Sequence, residues 1–118
     1  MINTVRDYLL ARLGVPTTPR ASPVGSVLGL AVAQILRQDP RRVGFIFINL
    51  SPNQIFISPI GAPSAANGIR VGPNGGSVHV LALEDGEMTA WEWAGMADLA
   101  GSNYFILEIL LATEAEVA

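Results

Sequence analysis

Apolar positions recur along this chain with two different periods. Near the N-terminus, Ile2, Val5, Leu9 and Leu13 fall at helical spacing, with Arg6, Asp7 and Arg12 off the stripe. That spacing predicts a short helix. Asn3 or Thr4 would cap its start, and Gly14 followed by Pro16 would stop it. About ten residues make too short a helix to persist alone in water, so its apolar stripe has to dock. Its own domain and a neighbouring subunit are the two candidate docking surfaces. Residues 14–26 (GVPTTPRASPVGS) hold three prolines and two glycines. This composition predicts an extended linker that separates the helix from everything that follows.

From residue 27 onward the period shortens to two. Val27 to Leu36 suits either a helix or a strand, and its glycine, Gly29, and lack of clean 3.6-residue periodicity favour a strand. Asp39-Pro40 makes a turn. Val43 to Asn49 is apolar on both faces, which predicts a central strand covered on both sides. Further strands are expected over Gln54 to Ser58, Ile69 to Val71, Ser77 to Ala82, Met88 to Ala94 and Tyr104 to Ala112. Glycine, proline and asparagine separate them, with Glu84-Asp85-Gly86 turning the chain before the Trp91 and Trp93 strand. Short strands at this spacing predict an all-β antiparallel β-sandwich, jelly-roll-like, preceded by a short N-terminal helix and an extended arm. The expected division is 1–26 for helix and arm, 27–113 for the sandwich and 114–118 for a C-terminal tail.

Composition changes this picture in one respect. The chain has 118 residues, 50% of them hydrophobic and only 14% charged, where an average soluble domain carries about 25% charged residues. Mean hydropathy is +0.41. Strictly apolar runs such as Phe45 to Ile48 fall far short of the ~20 residues a membrane helix needs. Arg6, Asp7 and Arg12 interrupt the N-terminal stretch where a signal peptide would be apolar. Burial against partners is therefore the expected explanation. The charge is also polarised. Residues 1–70 carry all seven arginines against Asp7 and Asp39, and residues 71–118 carry eight carboxylates and no arginine or lysine. Copies could pair head to tail, or the halves could neutralise each other within one fold. A net charge of −3 gives no electrostatic footprint for nucleic acid.

The chemical inventory is small. Cysteine is absent and His79 is the one histidine. No catalytic residue, metal site or cofactor site is expected, and the chain does not read as an enzyme. Gly72 to Gly76 lacks the lysine and spacing of a phosphate loop and reads as a turn. Glu84, Asp85 and Glu87 read as a solvated turn. Trp91 and Trp93 would share a strand face, as part of a core or subunit interface, or as a platform that stacks a sugar. Glu108 is an unusual charge between Leu107 and Ile109, and a buried carboxylate needs a partner. Arg41 and Arg42, with Glu108, form a candidate structural ion pair.

The stretch AVAQILRQDPRRVGFIFINLSPNQIFISPIGAPSAANGIRVGPNGGSVHV resembles a turn-and-strand pattern of small tailed-bacteriophage virion proteins. The residues that carry it are Gln34-Ile35-Leu36, Asp39-Pro40-Arg41-Arg42, Val43 to Asn49, Ile55-Phe56-Ile57 and Gly68 to Val71, completed by the Trp91 to Trp93 strand and Glu108. It covers roughly residues 30–111 and holds no catalytic signature. The resemblance is to capsid decoration (cement) and head-associated β-sandwich proteins. It implies a subunit that binds across capsomers on the head surface and stabilises the shell. The implied partners are the major capsid protein and copies of itself, a homotrimer being favoured, with neither nucleic acid nor membrane. The implied location is the virion capsid surface, after synthesis in the host cytoplasm. Ile2, Val5, Tyr8, Leu9, Leu13 and Arg20 are the arm residues expected to touch the capsid or another subunit. The alternative is a receptor- or carbohydrate-binding module of a tail fibre or spike, using Trp91 and Trp93.

Overall fold

A computed structural model describes residues 4–21 and 26–112. Ile2, linker residues 22–25, the side chain of Leu9 and the 114–118 tail lie outside the described residues.

The chain is mostly β, with two antiparallel sheets and a short helix in front of them. Helix α1 spans Val5–Leu13. Thr4 caps it by accepting the Asp7 N–H on its hydroxyl at 3.1 Å. Gly14 ends it in the left-handed region (φ 82°), donating its N–H to the Leu10 carbonyl at 2.8 Å.

The first sheet contains β1 (Thr17–Ala21), β2 (Val27–Leu28), β4 (Arg42–Asn49), β7 (Ser77–Leu81) and β9 (Ser102–Leu111). Its order is β1-β9-β4-β7, and β2 also pairs with β9. The second sheet contains β3 (Ala33–Leu36), β5 (Ile55–Ser58), β6 (Ile69–Val71) and β8 (Trp93–Ala97), in the order β3-β8-β5-β6. Phe45, Phe47, Val80 and Ile106 from the first sheet share one core with Leu36, Ile55, Ile57, Val71, Trp93 and Ala97 from the second. The rings of Phe45 and Trp93 meet edge to face at 5.0 Å between centroids.

Several expectations need correction. The linker reading of 14–26 gives way over Thr17–Ala21, which pairs along its whole length with β9, from Thr17 opposite Leu111 to Ala21 opposite Leu107. The proline is tolerated because β1 is an edge strand. Val27 to Leu36 is two strands, not one. Val27–Leu28 joins the first sheet and Ala33–Leu36 the second, so the intervening residues carry the chain between sheets. The glycine that weakened a helix reading, Gly29, lies at this crossing. Glu84-Asp85-Gly86 is not a simple hairpin turn. Ala82–Asp85 forms one helical turn, α2, and Gly86–Ala90 a 3-10 turn, so the strand expected from Met88 begins only at Trp93. Strand β4 is central, between β9 and β7, but only its Phe45 and Phe47 face is fully buried. Ile46 and Ile48 on the other face are half-buried.

Gly72 to Gly76 is a turn. Asn74 and Gly75 adopt positive φ (58° and 99°), and a Cβ on residue 76 would collide with the Gly72 carbonyl. The turn is stitched to the end of β4, with Asn74 N–H donating to Ser51 and Gly75 N–H to Asn49, at 2.8 and 2.7 Å.

Candidate functional site

Alternation along β9 puts Ile106, Glu108 and Leu110 on the core face, and all three are buried. Glu108 therefore enters the interior as a charge and needs compensation. Two arginines supply it. Arg20 lies directly opposite on β1 and grips the carboxylate with both prongs, Nε to Oε2 at 2.8 Å and Nη2 to Oε1 at 2.9 Å. Arg42 on β4 donates from Nε to Oε1 at 2.8 Å. A planar guanidinium fork suits this two-pronged grip on a carboxylate.

Arg42 is the better buried arginine, its side chain 1% exposed against 48% for Arg20. Its other donors go to main-chain carbonyls: Nη1 to Thr89 and Trp91 at 3.2 and 3.1 Å, Nη2 to Arg37 at 2.6 Å. One side chain thus ties β4 and β9 to the segment before β8 and to the end of β3. Asp39 closes the cluster from the side, accepting from Arg20 Nη2 at 3.0 Å and from the Arg41 N–H at 2.9 Å. Of the three residues grouped as a candidate ion pair, Arg42 and Glu108 are in contact. Arg41 instead directs Nε to the Leu111 carbonyl at 2.9 Å. Arg20, grouped with the arm, and Asp39 are the members the sequence did not reveal.

Electrostatics follow from this geometry. Burial pushes the Glu108 carboxyl up, but hydrogen bonds from Arg20 and Arg42 pull it further down, leaving it below the ordinary glutamate value. Burial likewise raises Asp39, and the Arg41 N–H and the Arg20 guanidinium more than reverse this. Arg20 is raised, chiefly by its hydrogen bond to Glu108. Both carboxylates are therefore ionised at neutral pH, and the cluster is a clamp rather than a proton donor. One side-chain oxygen beside it, Thr89 Oγ1, is buried with no hydrogen-bond partner.

The tryptophans do not share a face. Trp93 is 0% exposed, its Nε1 donating to the Met88 carbonyl at 2.9 Å, whereas Trp91 precedes β8 and is 40% exposed. A two-ring sugar platform therefore does not form. His79 is exposed on edge strand β7, opposite Ile46. Glu84, Asp85 and Glu87 are exposed, with Asp85 Oδ2 accepting the Leu81 N–H at 2.9 Å. Among the described residues no group of three or more histidines and carboxylates could hold a metal, and no helix is long and apolar enough to cross a membrane.

Of the expected arm residues, Val5 is 75% exposed, Tyr8 is exposed, and Leu13 is half-buried against the first sheet. Other large apolar side chains lie open: Val27, Leu30, Leu50, Ile60, Leu83 and Leu99. Val27 faces Asn103 across β2 and β9, and the Leu50 N–H donates to the same residue's carbonyl, so Val27 and Leu50 flank β9 from opposite sides. No family model, curated protein or solved structure matches the chain.

Proposed function

We propose that the chain is a structural assembly subunit, a jelly-roll β-sandwich that works by covering a larger surface rather than by turnover. The observation that carries this reading is the exposed apolar surface. Side chains as large as Val5, Leu30, Ile60 and Leu83 face water on a chain whose charged fraction is only 14%. Scattered exposed leucines are ordinary, but surface this apolar with so few charges favours burial against partners.

The jelly-roll assignment is supported by the nesting of strand pairs. Strand β2 pairs with β9, β3 with β8, β4 with β7 and β5 with β6, each antiparallel. This is the pattern of one long hairpin rolled up so that successive pairs alternate between two sheets. Viral capsid domains use that architecture, as do lectins and cupins. Fold alone does not select among them. The resemblance of residues 30–111 to tailed-phage decoration proteins favours a capsid role, with the major capsid protein and copies of this chain as partners and a trimer as the favoured state. Weak contacts repeated over many copies would add up through multivalency.

The alternative, a carbohydrate-binding module, loses its main support because Trp93 is buried and Trp91 stands alone. The two readings separate in one experiment. The full-length chain is incubated with expanded, undecorated tailed-phage heads, and in parallel with a glycan array. Saturable binding to heads, with a raised head melting temperature, is expected. Binding to glycans that is abolished by Trp91→Ala, with none to heads, would overturn the capsid reading.

A further inference from the structure

A groove of about 420 Å³ opens on the outer side of the first sheet. Its walls are Pro19, Val43, Leu81, Leu83 and Ile109, and the exposed carboxylate of Glu84 also lines it. Asp85 and Glu87 stand exposed close by in sequence, and no arginine or lysine occurs after Arg70. The groove is thus apolar in its walls and acidic beside them.

Helix α1 carries the complementary face. Val5, Tyr8 and Arg12 follow one another at three- and four-residue spacing and so share one side of the helix. All three are exposed. Arg12 lies over the Tyr8 ring at 5.9 Å and donates to its hydroxyl at 3.4 Å, so the described side-chain contacts of this face stay within the helix. Leu13, which does line the chain's own groove, lies about 100° around the helix from that face, at 3.6 residues per turn. While Leu13 rests there, Val5, Tyr8 and Arg12 remain open to solvent.

We infer that this groove receives α1 of a second copy of the chain, with Val5 and Tyr8 against its apolar walls and Arg12 against Glu84. Charge complementarity singles out this occupant. The helix supplies an arginine beside an aromatic ring, and the groove supplies a carboxylate beside aliphatic side chains. Tyrosine and arginine are also the residue types that most often dominate interface energies. The inference rests on the assembly reading above and names the contact by which copies join.

The absence of cysteine makes a direct test simple. A Tyr8→Cys chain is mixed with a Leu83→Cys chain under mild oxidation, and both sites are exposed enough to leave folding intact. The expected product is a disulfide-linked mixed pair, at least about tenfold above that from Tyr8→Cys mixed with Ile60→Cys, since docking raises the local thiol concentration. Glu84→Arg and Arg12→Glu should each weaken self-association, and the two together in one chain should restore it. A native mass measured on the unmodified chain separates the failures. An oligomer without the mixed cross-link overturns the groove assignment and leaves the assembly reading standing. A monomer that forms the disulfide only within a Tyr8→Cys/Leu83→Cys double variant means that the chain's own helix covers the groove. That result overturns the proposed exchange between copies.

Discussion

Glu108 organises the interior at the residue scale. Its carboxylate would be prohibitively costly at its buried position without Arg20 and Arg42. Replacing Arg42 with leucine leaves Glu108 half-compensated and three carbonyls without their donor, and should cost about 3 kcal/mol in a urea titration. Arg20→Ala should cost about 1 kcal/mol or less, because that arginine is half-exposed and screened by water. The carboxyls of Glu108 and Asp39 sit below their ordinary values, so the folded state holds its protons less tightly than the unfolded chain. Their stabilisation is complete above the unfolded values of about 4 and is lost as the pH falls through the lower folded values. Thermal unfolding followed from pH 6 to pH 2 should show a decline confined to the acid end, and Glu108→Gln should flatten it. Thr89→Val removes a buried hydroxyl without a partner and should add about 1 kcal/mol to stability by the same titration. The anomaly of Glu108 was legible in the sequence, since a lone acid among Leu107, Ile109 and Leu110 stands out. Arg42 was legible as one of two arginines leading into the central strand. Arg20 was not, because its place opposite Glu108 depends on the pairing of strands 88 residues apart in sequence.

At the scale of elements, local signals succeeded where one residue decides the outcome. Thr4 and Gly14 mark the ends of α1, and the run of apolar residues over Val43 to Asn49 marks β4 as central. They failed where pairing decides. Nothing local distinguishes a proline-containing linker from a proline-containing edge strand, and β1 exists because β9 offers it partners and Glu108 holds Arg20. Nor does composition reveal that the chain changes sheets between Val27–Leu28 and Ala33–Leu36. The alternation of Trp91 and Trp93 misled because the 3-10 turn of Gly86–Ala90 delays the strand, so that one ring enters the core and the other does not. These pairings predict a contrast between two truncations. A chain lacking residues 1–14 should keep the two-sheet body but lose self-association with α1, and it sets the melting temperature of the isolated body. One lacking residues 1–22 loses β1 and Arg20, and should melt roughly 10 °C lower, taking a loss of about 2 kcal/mol at ~4–8 °C each.

On the scale of the whole molecule, the body is longer and more exposed than a compact domain of its length. Its extents are 50 × 25 × 23 Å and its radius of gyration is 15.4 Å, where a compact chain of this length would have about 13.5 Å. Its surface of 6927 Å² exceeds the roughly 6,200 Å² of a typical folded monomer of this mass. The surplus includes apolar side chains from α1 and from the loops at both ends of the sheets. A chain that spends so few charges on its surface gains stability by covering that surface. The most direct measurement is the mass of the full-length chain in solution, by light scattering across a dilution series at neutral pH. A discrete oligomer is expected, a multiple of 12.5 kDa with three copies favoured, that Glu84→Arg shifts toward smaller species. A single species of one-chain mass at every concentration would contradict it.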